Sequence, residues 1–243
     1  MARLQDKVAL VTGASSGIGR AAARVLAREG ARLALTARRR ERLEELTTDV
    51  KRLGSEAVFA TGDIREEQTS KDIVARALKA FGRIDILIAN AGIAYYKNLI
   101  DTAASEYDEM MDINMKGSWL IARHVVPVMI KQKEGQILLV SSMAGVYGFA
   151  GEATYCATKF AQVGFAQGLD KELRAHGIKV GTVNPGGVKT EFALGKGRTD
   201  EIVEKSGWLE AEDVAEAIAF ACTQPKASRI IQMQMRTMAE SLT

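Results

Sequence analysis

Lys7-Val8-Ala9-Leu10-Val11-Thr12-Gly13-Ala14-Ser15-Ser16-Gly17-Ile18-Gly19 decides how this chain folds. The first five residues form a short apolar run, which predicts a strand buried in a parallel sheet. Glycines follow at once, spaced Gly-x-x-x-Gly-x-Gly. Arg20 to Glu29 then reads as a helix whose apolar face is Ala21, Ala22, Val25 and Leu26, with Gly30 as its stop. Strand, glycine turn and helix in that order make a phosphate cradle. Glycines admit a close approach of backbone to pyrophosphate, and the helix start offers free N–H groups and partial positive charge. An ordinary glycine-rich turn is the plainer reading. The position between strand and helix favours the cradle, with Gly13, Ser15, Ser16, Gly17, Ile18 and Gly19 against a dinucleotide.

Outward from this unit the pattern repeats. Strands are expected near Val8–Thr12, Arg32–Thr36, Ala57–Thr61, Ile84–Ala89, Gln136–Ser141 and Lys179–Asn184, with a seventh near Ile230–Met233. Helices are expected near Gly17–Glu29, Arg39–Leu53, Glu66–Phe81, Ser105–Lys131, Ala153–His176 and Ala211–Thr223. Such alternation predicts an α/β fold, a doubly wound parallel sheet with helices on both faces and right-handed crossovers. Pro127 predicts a kink or an early end in the fifth helical stretch. A chain of 243 residues fits one domain, 1–243. Its dinucleotide-binding half is expected over about 1–135 and its catalytic and substrate-binding half over about 136–243.

Composition excludes several classes. Net charge is +3, too balanced for a nucleic-acid partner. No apolar run is long enough for a membrane span, and residues 1–7 are polar, unlike a secretory core. Two cysteines, Cys156 and Cys222, make no disulfide framework and fit a reducing compartment. The expected location is cytoplasmic. His124 and His176 are the only histidines and lie far apart, so no metal site is expected.

The second informative stretch is Tyr155-Cys156-Ala157-Thr158-Lys159, thirteen residues after Ser142. A tyrosine and a lysine four apart share one helix face. A phenol with a pKa near 10 is a poor catalyst at neutral pH, and a neighbouring ammonium lowers that value. A shift of roughly 3 units needs about 4 kcal/mol, which a desolvated lysine and one further cation could supply.

Together these motifs resemble the short-chain dehydrogenase/reductase family. Thr12-Gly13-x-x-x-Gly17-x-Gly19 is similar to its cofactor motif, and Asn90-Ala91-Gly92 to its strand-four motif. Asn114 is similar to its helix asparagine, Ser142, Tyr155 and Lys159 to its catalytic group, and Pro185-Gly186-x-Val188-x-Thr190 to its nicotinamide segment. The matches run in order from residue 7 to about 190. The resemblance implies a Rossmann-type seven-stranded sheet in the order 3-2-1-4-5-6-7 and an oxidoreductase of the NADP(H)-preferring type. By the same resemblance Tyr155 gives a proton to a carbonyl oxygen and Ser142 holds that oxygen. Lys159 lowers the Tyr155 pKa and holds the nicotinamide ribose. Asn114 positions a water that refills the relay through Lys159. Asp63 takes the adenine edge with the Ile64 backbone, and Asn90, Ala91 and Gly92 pass under the cofactor. The helices Ser105–Lys131 and Ala153–His176 pair between subunits of a homotetramer, or else a dimer.

Charge distinguishes the two nicotinamide dinucleotides. A carboxylate after the second strand would bind a free 2′-hydroxyl and repel a 2′-phosphate. Here Ala37 is followed by Arg38-Arg39-Arg40 and no acid precedes Glu41. Guanidinium groups suit a phosphate, so Arg38 and Arg39 are expected to hold NADP(H). In the competing reading these arginines only pair with Glu41, Glu44 and Glu45, and the enzyme uses NAD(H). A non-catalytic NADP-sensing module is the alternative from another class.

Substrate contacts are expected from Ser142, Tyr155, Tyr95, Tyr147 and Phe192, with Tyr96, Met143, Ala144, Phe149 and Glu152 as further candidates. Most are apolar or aromatic, which favours a partly apolar carbonyl compound. Glu191–Ser206, with Gly195 and Gly197, reads as a mobile lid, and Trp208 either closes the far side of the pocket or joins the core. The tail Ile230–Met238 lacks the glycine-rich ending of the family's ketoacyl reductases. That points away from acyl-carrier substrates, toward small hydroxy acids, sugars or foreign carbonyl compounds.

Overall fold

The computed structural model describes residues 2–239. Its seven strands are β1 (Val8–Thr12), β2 (Arg32–Ala37), β3 (Ala57–Thr61), β4 (Ile86–Ala89), β5 (Gly135–Val140), β6 (Ile178–Pro185) and β7 (Gln232–Met235). They form one parallel sheet in the order β3-β2-β1-β4-β5-β6-β7. The helices are α1 (Gly17–Arg28), α2 (Arg40–Arg52), α3 (Glu67–Phe81), α4 (Ala104–Met110), α5 (Gly117–Gln132), α6 (Ala153–Leu173), α7 (Asp200–Lys205) and α8 (Ala211–Cys222). The seventh strand starts two residues later than its apolar pattern predicts, because Gln232, not Ile230, pairs with Thr182 of β6.

Both faces of the sheet are covered, which is why the strands read as continuous apolar runs. On one face Ala9, Val11, Leu33 and Leu35 pack with Val25 and Leu26 of α1, Leu43 and Leu46 of α2 and Val214 and Ile218 of α8. On the other, Leu10, Ala34, Leu87 and Leu139 pack with Ile73 of α3, Ile121 and Val125 of α5 and Leu169 of α6. Each of these buried Val, Leu and Ile side chains contributes about 1.5–3 kcal/mol. Two cores on opposite faces fix the register of the central strands, and with it the edge formed by their C-terminal ends.

The expected helix Ser105–Lys131 is three pieces: α4, a π-helical turn over Met111–Lys116, and α5. The wide turn buries Ile113 and the whole of Asn114. Pro127 does not end α5, correcting the early end expected there; the helix runs to Gln132 and stops at Lys133, whose φ is 55°. Val125 and Met129, on either side of the proline, are fully buried, and their packing offsets the missing hydrogen bond.

Candidate active site

The C-terminal edge of the sheet opens into a cavity of about 400 Å³. Its floor is the β1–α1 turn. Gly13 has φ +64°, and a Cβ there would stand 2.8 Å from Ala91 Cα. Gly19 allows the helix to reach Asn90, since a Cβ would lie 2.5 Å from Asn90 Nδ2. Thr12 and Asn90 lock the turn to the end of β4: the Asn90 and Ala91 N–H groups donate to Thr12 Oγ1 at 3.0 and 3.1 Å, and Asn90 Nδ2 donates to the Thr12 carbonyl at 3.0 Å. The Asn90 side chain thus braces the glycine turn.

Ser16 starts α1 without capping it. Its hydroxyl instead accepts from Arg39 Nη2 at 2.7 Å, and Ser15 Oγ accepts from Arg39 Nε and Nη2, both at 3.2 Å. The helix start therefore keeps its N–H groups for an anion. The three arginines divide. Arg38 and Arg39 line the cavity, whereas Arg40 turns outward to Glu44 at 2.8 Å and over the Phe59 ring at 5.7 Å. Arg39 also meets Glu191 at 2.8 Å, and Arg42 meets the same carboxylate at 2.6 Å. Both arginines hold the Glu191 carboxyl below the usual carboxylate range. Asp63 and Ile64 line the same end. The Asp63 carboxylate is gripped by Arg65, with Nη2 donating at 2.8 Å, and its pKa is lowered for that reason.

At the other end stand Ser142, Tyr155 and Lys159, with Pro185, Gly186, Val188, Thr190 and Phe192. A short 3-10 turn over Met143–Gly145 follows β5 and turns the chain toward α6. Ser141 and Ser142 divide the work there. Ser141 Oγ donates to the Lys159 carbonyl at 3.1 Å, while Ser142 Oγ accepts from the Ala144 N–H at 3.1 Å and reaches the Pro185 carbonyl at 3.4 Å. Lys159 Nζ lies 5.7 Å from the centre of the Tyr155 ring. Both residues are buried, at 4% and 3% exposure, and this governs their titration. Desolvation pushes the Tyr155 phenol well above its ordinary value, against a hydrogen bond from Ser142 that lowers it. Desolvation also brings the Lys159 amine down to about 7.

Lys159 is held from behind. Its Nζ donates to the Val140 carbonyl at 3.0 Å and to Gln162 Oε1 at 2.9 Å. Gln162 Nε2 in turn donates to the Asn114 carbonyl at 2.8 Å and to Ser118 Oγ at 2.9 Å. Lys159 is thus linked to the Asn114 main-chain carbonyl through the Gln162 side chain. The Asn114 side chain clamps the β4 loop, accepting from Ile93 N–H at 2.8 Å and donating to the Ile93 carbonyl at 2.9 Å. Gln162 was missed in the sequence. Its signal is a polar residue one turn beyond Lys159, on the same helix face and fully buried.

Of the expected substrate contacts, Ser142, Tyr155 and Phe192 line the cavity. Tyr147 is 52% exposed and is not part of the wall, a correction; it follows the 3-10 turn that carries the chain outward. Tyr95 is also displaced: its hydroxyl donates to Glu109 at 2.6 Å and accepts from Lys196 at 2.8 Å. Tyr96 takes the inward place, edge-on to Tyr155 with ring centres 5.6 Å apart. Met143 and Ala144 are buried, and Phe149 packs behind Tyr155 with Cys156. The segment expected as a lid contains α7 and is packed down: the Tyr96 N–H donates to the Lys196 carbonyl at 2.9 Å. Trp208 lies on the Pro185–Gly187 turn, where a Cβ at Gly187 would stand 2.5 Å from its ring.

Residues 7–201 match the family profile described as short chain dehydrogenase. An uncharacterized oxidoreductase of Staphylococcus epidermidis is 34% identical over 97% of this chain and 99% of its own length. The alcohol dehydrogenase from the archaeon Thermococcus sibiricus, complexed with 5-hydroxy-NADP, superposes with a TM-score of 0.88 at 28% identity, covering 98% of this chain and 99% of that one. Carveol dehydrogenase from Mycobacterium avium in complex with NAD gives a TM-score of 0.89 at 26% identity, covering 96% and 97%. The chain belongs to the short-chain dehydrogenase/reductase family. It is an oxidoreductase of that family, which works with a nicotinamide dinucleotide on small molecules. Among the described residues no helix is long and apolar enough to cross a membrane.

Proposed function

We propose that the protein is an NADP(H)-dependent carbonyl reductase, reversible toward secondary alcohols at alkaline pH. The observation that carries this reading is the meeting of two half-sites in one cavity. Ser15, Ser16, Arg38 and Arg39 stand at one end and Ser142, Tyr155 and Lys159 at the other, with the glycine turn between them. The dinucleotide fits the residues present: a glycine turn whose Gly13 and Gly19 pack backbone-close on Asn90 and Ala91, an uncapped helix start, and serine hydroxyls and arginines with no acid directly after β2, Glu191 pairing with Arg39 from across the cavity. Structures with NADP and with NAD both resemble the chain, so the choice of NADP(H) rests on these donors.

When bound, the reduced dinucleotide supplies a hydride to the carbonyl carbon. The charge that develops on the carbonyl oxygen needs a proton and a hydrogen bond. Tyr155 gives the proton from its hydroxyl. Ser142 donates a hydrogen bond to the same oxygen. Lys159, fixed by Val140 and Gln162, stabilises the phenolate that Tyr155 becomes and holds the ribose hydroxyls. Asn114 positions a water that refills the relay through Lys159, and its main-chain carbonyl holds Gln162 behind that lysine. The buried phenol is protonated at neutral pH, the state that reduction requires. Oxidation of an alcohol starts from the phenolate, so it gains as pH rises.

We take the described residues as one domain that assembles through α4, α5 and α6. Tyr107, Trp119 and Phe160 stay exposed on these helices, at 47%, 40% and 45%. Gly164 and Gly168, one turn apart on α6, face open space. A second copy would cover them. The test of the function is NADPH consumption, followed by absorbance, against a panel of ketones and aldehydes, with NADP⁺ reduction by secondary alcohols as the reverse assay. Tight NADPH binding with no turnover on any compound would instead favour a sensor.

A further inference from the structure

The segment after Thr190 is a compact turn built from its own backbone. Leu194 N–H donates to Glu191, Lys196 and Arg198 N–H both donate to Ala193, and Gly195 N–H donates to Arg198. Gly197, with φ +111°, lets the turn lie on Tyr96, where a Cβ would stand 2.5 Å from Tyr96 Cβ. The result is to carry two cations, Lys196 and Arg198, into the wall of the cavity that holds Tyr155.

Arg198 is placed with care. Its guanidinium carbon lies 4.4 Å from the Trp208 ring centre, 5.0 Å from Tyr96 and 5.8 Å from Phe192, and Nη2 donates to the Tyr96 hydroxyl at 3.1 Å. Tyr96 and Phe192 in turn both touch Tyr155, with ring centres 5.6 and 6.0 Å away. The guanidinium is therefore one aromatic ring from the phenol. Lys196 lies over the Tyr95 ring at 4.1 Å and near Glu109 at 3.9 Å. Arg198 is also felt electrostatically by both Tyr96 and Tyr155, against Glu152 at the start of α6, which is not on the cavity wall. These cations are at the opposite end from Arg38 and Arg39, so the dinucleotide phosphates do not account for them.

We infer that the substrate carries a carboxylate a few carbons from its carbonyl, held by Arg198 with Lys196 beside it. This rests on the carbonyl-reductase reading. A planar guanidinium fork matches a carboxylate, and stacking on three rings fixes its orientation with little loss of freedom. A phosphate would draw backbone N–H groups as well, and those of Leu194, Gly195, Lys196 and Arg198 are used within the turn. The substrate class is then oxo acids, which gain a hydride at carbon and a proton at oxygen to become hydroxy acids.

The experiment compares acetoacetate with its methyl ester, and dihydroxyacetone phosphate with dihydroxyacetone, in NADPH-dependent reduction. The wild type is expected to favour acetoacetate over the ester by tenfold or more in kcat/KM, mainly through KM. Arg198→Gln should bring that ratio near one, and Arg198→Lys should restore part of it. In parallel, calorimetry on the NADP⁺-bound protein measures 3-hydroxybutyrate against its amide, with tighter binding of the acid expected. Equal ratios for acid and ester, a ratio indifferent to Arg198→Gln, or a preference confined to the phosphate would overturn the inference. If no carbonyl compound is reduced, the reductase reading fails, while calorimetry still decides whether the carboxylate site exists. Acid and amide that bind alike there refute the site.

Discussion

The two ends of the cleft differ in how their residues are delivered. At one end the glycine turn, Ser15, Ser16, Arg38 and Arg39 come from adjacent strand-turn-helix units and line one cavity. At the reactive end only Ser142, Tyr155 and Lys159 come from such units. Beyond these and the 185–190 segment at the end of β6, the wall comes from the β4 loop and the post-Thr190 turn, which meet through the backbone bond between Tyr96 and Lys196. On the proposed reading, mostly local segments face the cofactor, with Glu191 the long-range partner of Arg39, and contacts between distant loops shape the substrate end. Variants at the two ends should therefore separate binding of cofactor from selection of substrate.

The largest effect is expected where the two ends meet. Lys159→Ala removes both the phenolate partner and the ribose contact. Turnover should fall by about a thousandfold, within the range of general acid–base effects, and NADPH affinity should fall with it. Fluorescence titration and initial rates on one sample check both. Loss of turnover with unchanged affinity would confine Lys159 to the reactive end.

Next comes cofactor choice. Arg38→Asp/Arg39→Ala removes both guanidinium groups from the cavity wall, including the one on Ser15 and Ser16, and installs a carboxylate. Losing one charged hydrogen bond costs about 1.5–3 kcal/mol, so the NADPH-to-NADH ratio of kcat/KM should fall ten- to a hundredfold. A wild type that already prefers NADH would show that these arginines only belong to the surface of α2.

Here the sequence is most and least informative within a few residues. Arg38 to Arg40 could be read as phosphate ligands or as partners of α2 acids, and the choice depends on side-chain direction. Only Arg40 takes the second role, because its place in the first turn puts Glu44 four residues on. Most strand positions were legible because both faces are buried and the central strands are apolar runs, whereas the sheet order came only from the family resemblance, since a strand's apolar run does not say which strands it pairs with. Gln162 was not legible, since a helix residue shows its burial only once α5 and α6 are packed. Nor was Arg198, which reaches the site through a turn whose course depends on Gly197. Tyr95 and Tyr96 are neighbours of one type, and which faces inward is set by Glu109 and Lys196, distant in sequence.

Gln162→Leu should have a smaller effect, about tenfold or less in kcat, by freeing Lys159 from its rear support. A positioning role predicts a shifted pH–rate profile with NADPH affinity little changed, and Gln162→Glu should restore a partner for the ammonium. A uniform loss of folded protein, seen by thermal melting, would make Gln162 structural instead.

The smallest effect concerns stability. Below about pH 7 the apoprotein buries an ammonium at Lys159. Between that value and the ordinary lysine range the unfolded chain binds a proton that the folded chain does not. This group's contribution to stability therefore rises as pH climbs above 7 and is lost as pH falls. Lys159→Met should be more stable than wild type at pH 6, with a narrower gap at pH 9, measured by urea denaturation without cofactor. A gap that does not change with pH would mean the amine stays charged when buried.

The most direct test is Tyr155→Phe, which keeps the ring against Tyr96 and Phe192 and removes only the hydroxyl. On a ketone that the wild type reduces, the rate of NADPH consumption should drop by about a hundredfold or more, with NADPH binding close to that of the wild type. Turnover near the wild-type rate in this variant would contradict the account.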